Sequence, residues 1–246
     1  MTRVKRGEMK ARRQKQRLAQ RRGILIAIVG IVVIVIAVII GANVYENTQP
    51  IGEINTVEPH NYPAVDGRSL GDPNALVKIE VFEDFQCPAC QRFGDTTEVQ
   101  IITEMKDLIE SGKVVYQFRH MPFLDDRFAS RESDKAASAS MCAAEQGKFW
   151  EMKATIYANW DGENQGSFTS RRLAAMAEQV GLDMDQFNSC FDNNKYQTEI
   201  DDDLEAGRKY GITSTPSIVV NGKLLTPGAL YAEIKAAVDD ILATSQ

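Results

Sequence analysis

Val77-Lys78-Ile79-Glu80-Val81-Phe82-Glu83-Asp84-Phe85-Gln86-Cys87-Pro88-Ala89-Cys90 decides how this chain is read. The stretch opens rich in β-formers and closes on two thiols three positions apart, where a strand gives way to a helix. At a helix N-terminus the first sulfur meets unsatisfied N–H groups and the positive end of the macrodipole. Both favour the thiolate, which is the reactive species. The second sulfur lies within the first turn, close enough to close a disulfide or resolve a mixed one. Pro88 suits an early helical position because its missing N–H has no helical partner there. Half a zinc site has the same spacing, but structural zinc wants four ligands, commonly as two such pairs. Cys142 and Cys190 are isolated, and the two histidines, His60 and His120, have no H-x₃₋₅-H spacing. The pattern predicts a redox pair at Cys87 and Cys90, with no metal and no organic cofactor.

Outward from this motif, the N-terminus bears on the compartment. Residues 1–22 hold ten Lys or Arg against one acid, Glu8, and residues 23–42 contain no charged or strongly polar side chain. At about 1.5 Å per residue, a helix of this length covers the roughly 30 Å hydrocarbon core. A soluble helix apolar on every side would need complete burial. The basic flank stays in the cytoplasm and sends the C-terminal part across. Residues 1–22 are thus predicted as a cytoplasmic tail and 23–42 as a transmembrane signal anchor. A cleaved signal peptide, the competing idea, has an apolar region of about 7–15 residues ending in small side chains. Here Ile40 stands where A-x-A before Asn43 would need a small residue.

Charge sorts the same way. Subtracting the tail from 28 basic and 34 acidic residues leaves 18 and 33, so residues 23–246 carry a net −15. The basic tail reads as topology, aided by anionic headgroups of the lipid bilayer. It has no aromatics for base stacking and no partner patch downstream, which argues against nucleic acid. Residues 43–65 are polar and broken by Pro50, Pro59 and Pro63, the composition of a spacer. The remaining residues, 66–246, suffice for one well-buried domain, not two.

Within that domain, strands are predicted over 77–82 and 114–119, on either side of a helix over 99–109 that Gly112 ends. A strand, a helix of this length and a second strand form a βαβ unit with a parallel pair. Residues 134–210 are almost wholly helical in pattern, divided at 161–170 and near Gly181. Asn221-Gly222 then marks a hairpin, and a closing helix follows over 231–242. The fold class is α/β, with a helical insertion at about 125–210.

This order, with two local motifs, resembles the DsbA-like branch of the thioredoxin fold. Phe82-Glu83-Asp84-Phe85-Gln86-Cys87-Pro88-Ala89-Cys90 is similar to the family's phenylalanine-rich approach to CPxC. Gly211-Ile212-Thr213-Ser214-Thr215-Pro216-Ser217, followed by Val219-Val220-Asn221-Gly222, looks like the loop carrying the family's cis-proline. Ala143-Ala144-Glu145-Gln146-Gly147-Lys148-Phe149-Trp150 is similar to its inserted helical region. The resemblance implies a thioredoxin-like fold, a cis Thr215-Pro216 bond opposite the cysteines, and a substrate strand docking on the Thr215 backbone. It also implies a structural disulfide between Cys142 and Cys190, as some relatives carry and as an oxidising compartment favours. Two separate buried thiols remain the alternative.

Two departures stand out. Relatives often place a buried carboxylate six residues before the first cysteine, where this chain has Val81; Glu80, Glu83 or bulk water would have to replace it. The dipeptide is Pro-Ala rather than Pro-His, which predicts a less acidic Cys87 thiol and a milder oxidant. His120 reads as a structural histidine with satisfied nitrogens, and Phe149, Trp150 and Tyr157 as core. Met121 and Phe123 belong to packing or to the rim of a groove.

The expectation is a membrane-anchored, extracytoplasmic thiol:disulfide oxidoreductase. Cys87 would be the nucleophile and Cys90 the resolving thiol, introducing disulfides into exported client proteins. A membrane redox partner such as a quinone-linked oxidase would reoxidise the pair. The alternatives are a reductase or isomerase supplied by an electron donor across the membrane, and a non-catalytic binding module or holdase.

Overall fold

A computed structural model describes residues 3–48, 50–58 and 60–244. Pro59, one of the three prolines expected to break the spacer, lies outside the described residues, as do Met1, Thr2, Gln49, Ser245 and Gln246. The chain forms two compact units, residues 1–50 and 51–246. The first is a single helix, α1 (Arg3–Thr48). Within Arg21–Ala42 the most apolar 18-residue window has mean hydropathy 3.5, and none of that window is buried. By length and composition this segment can cross a membrane.

The second unit is built on a six-stranded sheet in the order β1-β2-β4-β3-β5-β6. The strands are β1 (Val65–Asp66), β2 (Ser69–Leu70), β3 (Val77–Glu83), β4 (Val114–His120), β5 (Ser217–Val220) and β6 (Lys223–Leu224). β3 and β4 run parallel, with Val81 opposite Phe118 and Glu83 opposite His120. β5 lies antiparallel on the other side of β3, so the strand that leads to Cys87 is central. A central strand covered on both faces needs apolar residues at nearly every position, and six of its seven residues are buried. Asn221 and Gly222 both have positive φ, 44° and 80°, as a two-residue hairpin turn requires.

The β3–β4 crossover is helical but not one helix. It runs through α2 (Pro88–Phe93), a π turn (Gly94–Glu98), α3 (Val99–Glu104) and α4 (Lys106–Glu110). Gly112 follows at φ 70°. The insertion holds α5 (Glu132–Ala144), α6 (Phe149–Ala158), α7 (Ser170–Val180), α8 (Met184–Asp192) and α9 (Gln197–Lys209), before α10 (Tyr231–Thr244) closes the chain. The larger core cluster joins Val77, Ile79, Val81 and Cys90 to Phe149, Trp150 and Tyr157 of α6. A smaller one gathers Phe82, Met121, Ile212 and Val219.

Two expectations need correction. Residues 43–65 are not a free spacer: 43–48 continue α1, and 51–62 belong to the second unit. Asn55 and Asn159 exchange two hydrogen bonds, at 2.9 and 2.8 Å. The guanidinium of Arg172 donates to the carbonyl of Ile51, and Tyr62 stacks on Trp150 at 4.4 Å between centroids. Prolines and polar residues set the composition of this segment, but its few aromatic and amide groups find partners on α6. The second correction is His120. It is buried, and neither ring nitrogen has a hydrogen-bond partner; rings of Phe85, Phe118 and Phe149 surround it instead.

Candidate active site

Cys87 is the N-cap of α2 and Pro88 its first helical residue. The backbone carbonyl of Cys87 accepts from the amides of Cys90 and Gln91, at 3.0 and 3.2 Å. This turn leaves Cys87 half-buried and drives Cys90 into the core; both are free thiols. The Thr215–Pro216 bond is cis, and the Cys87 thiol donates to the Thr215 carbonyl at 3.3 Å. Three of the residues singled out by sequence, Cys87, Cys90 and Thr215, thus meet at one place, with Pro216 next to Thr215. Cys142 and Cys190 are joined to each other in a disulfide between α5 and α8. They supply no second thiol pair to Cys87 and Cys90.

The two thiols have opposite proton affinities. Cys87 is pulled down to about 6, first by the hydrogen bond from the Cys90 thiol, which outweighs the opposing effect of burial. Contacts with Thr215 and the amides of Cys90 and Ala89 act in the same direction. Cys90 is pushed well above an ordinary thiol by burial, then by its bond to Cys87 and the charge of Glu83. One sulfur is poised as the thiolate and the other as the thiol.

Two carboxylates, Glu80 and Glu83, flank Val81 on β3. Side chains alternate along a strand, so Glu83 shares the face of Val81 and lies two residues closer to Cys87. Glu80 points to the opposite face, where it pairs with Arg119 at 3.0 Å. Glu83 is buried, and Tyr157 donates to its Oε2 at 2.7 Å. Burial raises its pKa to about 8 against the pull of Lys153, with Glu98 adding to the rise.

Behind Glu83 sits a second buried pair that sequence reasoning missed. Lys153 donates to Glu98 Oε1 at 2.6 Å, and both side chains are nearly inaccessible. Tyr116 donates to Glu98 Oε2 at 2.6 Å. A signal existed: Lys153 lies four residues from Phe149 and four from Tyr157, inside the buried stripe of α6. Glu98 has no comparable mark, since a π turn shifts the helical phase that periodicity would read.

The residue before Cys87 is also held from the insertion. Gln86 is fully buried. Its side chain donates to Ser133 Oγ at 2.9 Å and accepts from the Asn164 amide at 2.6 Å. Asp84 accepts from the amides of Gln86 and Leu124, at 2.9 and 3.1 Å. Its burial raises its pKa to about 7.

The sequence signature of the thioredoxin family matches residues 64–240. The chain belongs to the thioredoxin family. Among curated relatives, the probable disulfide bond formation protein D of Bacillus cereus is 29% identical over 177 residues, 70% of this chain and 77% of the relative. Oxidised BdbD from Bacillus subtilis superposes with TM-score 0.60 at 24% identity, covering 77% of this chain and all of that one. Wolbachia pipientis alpha-DsbA1 gives 0.59 at 22%, covering 75% and 95%. This thioredoxin-family protein is accordingly a DsbA-like thiol:disulfide oxidoreductase.

Proposed function

We propose that the protein introduces disulfides into exported proteins, with Cys87 as the nucleophilic sulfur and Cys90 as the resolving one. The observation that carries this reading is the asymmetry of the two thiols. An accessible sulfur that favours the thiolate leaves readily from a disulfide, and stabilising the thiolate stabilises the reduced enzyme. Both effects push electrons from client to enzyme. A client thiolate attacks Cys87 of the Cys87–Cys90 disulfide, and a second client thiol then releases the reduced pair. Thr215, whose carbonyl faces Cys87, and Pro216 form the loop against which an extended client segment docks. The Cys142–Cys190 bond serves the architecture of the insertion.

The apolar segment 23–42 acts as an uncleaved anchor, and the ten basic residues before it keep the N-terminus in the cytoplasm. The oxidoreductase domain then lies outside the cytoplasmic membrane, near a membrane redox partner that reoxidises it. The test is the reduction potential of the full chain in detergent, equilibrated against glutathione. A value between about −120 and −180 mV supports oxidation of clients; one near about −270 mV assigns the protein to electron delivery instead.

A further inference from the structure

Both ends of the Cys87-Pro88-Ala89-Cys90 motif are held from one place, the C-terminal end of α6. Before the motif, Trp160 donates its indole N–H to the Gln86 carbonyl at 2.8 Å. After it, the Gln91 side chain donates to the Tyr157 carbonyl at 2.9 Å, one of the terminal carbonyls that a helix leaves open to outside donors. This end of α6 is gripped in turn by the segment that precedes β1. Asn159, buried at the C-cap of α6, accepts from the Asn55 amide at 2.9 Å and donates to the Asn55 carbonyl at 2.8 Å. It also donates to the Thr155 carbonyl at 2.8 Å, so both donors of its side-chain amide are used. The Asn55 side chain caps the Ala158 carbonyl at 3.3 Å. On either side of this pairing, Ile54 and Tyr62 pack against the larger core, and Arg172 holds the Ile51 carbonyl.

We propose that residues 51–62 act as a strap on the active site, with Asn55 and Asn159 as positioning residues that set the end of α6 and, through Trp160 and Gln91, the placement of Cys87 and Cys90. The inference rests on the reading of Cys87 as the nucleophilic sulfur. Every link in the path is a direct hydrogen bond or a peptide neighbour. Asn55 bonds to Asn159, Asn159 precedes Trp160, Trp160 bonds to Gln86, and Gln86 precedes Cys87. The path matters because what Cys87 depends on is short in range. Its thiol faces the Thr215 carbonyl at 3.3 Å, and the Cys90 thiol and the amides of Ala89 and Cys90 favour its thiolate. Such bonds weaken steeply as their geometry departs from the ideal, and a misplacement of about 1 Å can cost about a hundredfold in rate. Asn159 reads only the main-chain N–H and C=O of Asn55, as a neighbouring strand would. The strap is therefore seated through its backbone, and a loss of that pairing frees the end of α6 from the side opposite the motif.

The experiment compares the full chain, in detergent and with the Cys87–Cys90 pair reduced, with Asn159→Leu, Asn55→Pro and Asn55→Ala. Two quantities are read: hydrogen exchange resolved by segment, and the pH profile of Cys87 alkylation by iodoacetamide. In Asn159→Leu and Asn55→Pro, exchange over 51–62 should rise by about tenfold, and exchange over 86–91 should rise with it. The amides of β3 and β4 should keep the parent protection, which shows that the sheet persists. The Cys87 inflection should move up from about 6, and a move of about one pH unit would lower the rate at pH 7 by about twofold. Asn55→Ala keeps the backbone groups that Asn159 reads, so its effect should be the smaller one. Faster exchange over 51–62 with an unmoved Cys87 inflection overturns the strap. So does unchanged exchange over 51–62 in both Asn159→Leu and Asn55→Pro, because the pairing would then hold nothing. Alkylation of Cys90 ahead of Cys87 in the parent would overturn the assignment of the nucleophile instead, and exchange over 86–91 would still read the strap.

Discussion

Trp160 donates its indole N–H to the backbone carbonyl of Gln86 at 2.8 Å, tying the helical insertion to the residue before Cys87. Together with the Ser133 and Asn164 contacts to the Gln86 side chain, it fixes the strand-to-helix turn that presents the first sulfur. The insertion is therefore part of the site's framework as well as a cover for the sheet.

Trp160→Phe should lower stability by about 1–3 kcal/mol, because it leaves a buried carbonyl without its donor. Urea unfolding of the variant beside the parent measures the loss. Alkylation of Cys87 should slow in the same variant, since the turn is less firmly held.

The acidity of Cys87 has a named origin that can be removed. Its alkylation rate should follow an inflection near pH 6, and Cys90→Ala should move that inflection upward by taking away the foremost hydrogen-bond donor to the thiolate. The linkage has a definite sign. The folded pKa lies below that of an unfolded cysteine, so the contribution is present at high pH and lost as pH falls through about 6. Thermal unfolding should therefore show the reduced form gaining on the oxidised form between about pH 6 and pH 9.

Removing the Cys142–Cys190 disulfide, which spans 48 residues, should cost about 4 kcal/mol in the chain-entropy account. A Cys142→Ala, Cys190→Ala double variant tests this by denaturation. Its Cys87 alkylation profile should keep the parent inflection, because the acidity of Cys87 comes from Cys90, Thr215 and Ala89.

His120 provides an acid-side signature. Burial depresses its pKa, with Arg68 and Arg119 adding to the effect, so the unfolded state takes up a proton that the folded state resists. Stability should fall as pH drops below about 6.5. His120→Leu should flatten that limb, and the difference between the two proteins isolates His120 from the buried acids. Glu83 and Asp84, whose pKa values are raised, act with the opposite sign: their contribution is present at low pH and fades as pH rises towards 7 to 8.

Much of this arrangement was legible from local chemistry. A β-rich run ending in two spaced thiols, an unbroken apolar segment and an Asn-Gly turn each state their structure within a few residues. The βαβ order, the helical insertion and the closing helix follow from periodicity. Local signals failed where partners were remote. The segment 51–62 reads as a spacer until Tyr62 meets Trp150 and Asn55 meets Asn159. His120 reads as a structural histidine with satisfied nitrogens until three phenylalanine rings enclose it. The short strands β1 and β2, two residues each, carry too little pattern to be seen at all.

The sequence by itself determined the two spaced thiols after a strand, the α/β order of elements and the apolar segment able to cross a membrane, because periodicity and motif spacing are properties of neighbouring residues. Only the tertiary structure decided which charged groups stand near the two thiols. Tyr157 reaches Glu83 across 74 residues of sequence and Lys153 reaches Glu98 across 55. Strand alternation turns Glu83 towards Tyr157 of α6, the π turn carries Glu98 to Lys153, and burial then raises the proton affinity of Glu83. Proton affinity depends on distance and solvent exclusion in space, and neither is written in the order of residues along the chain.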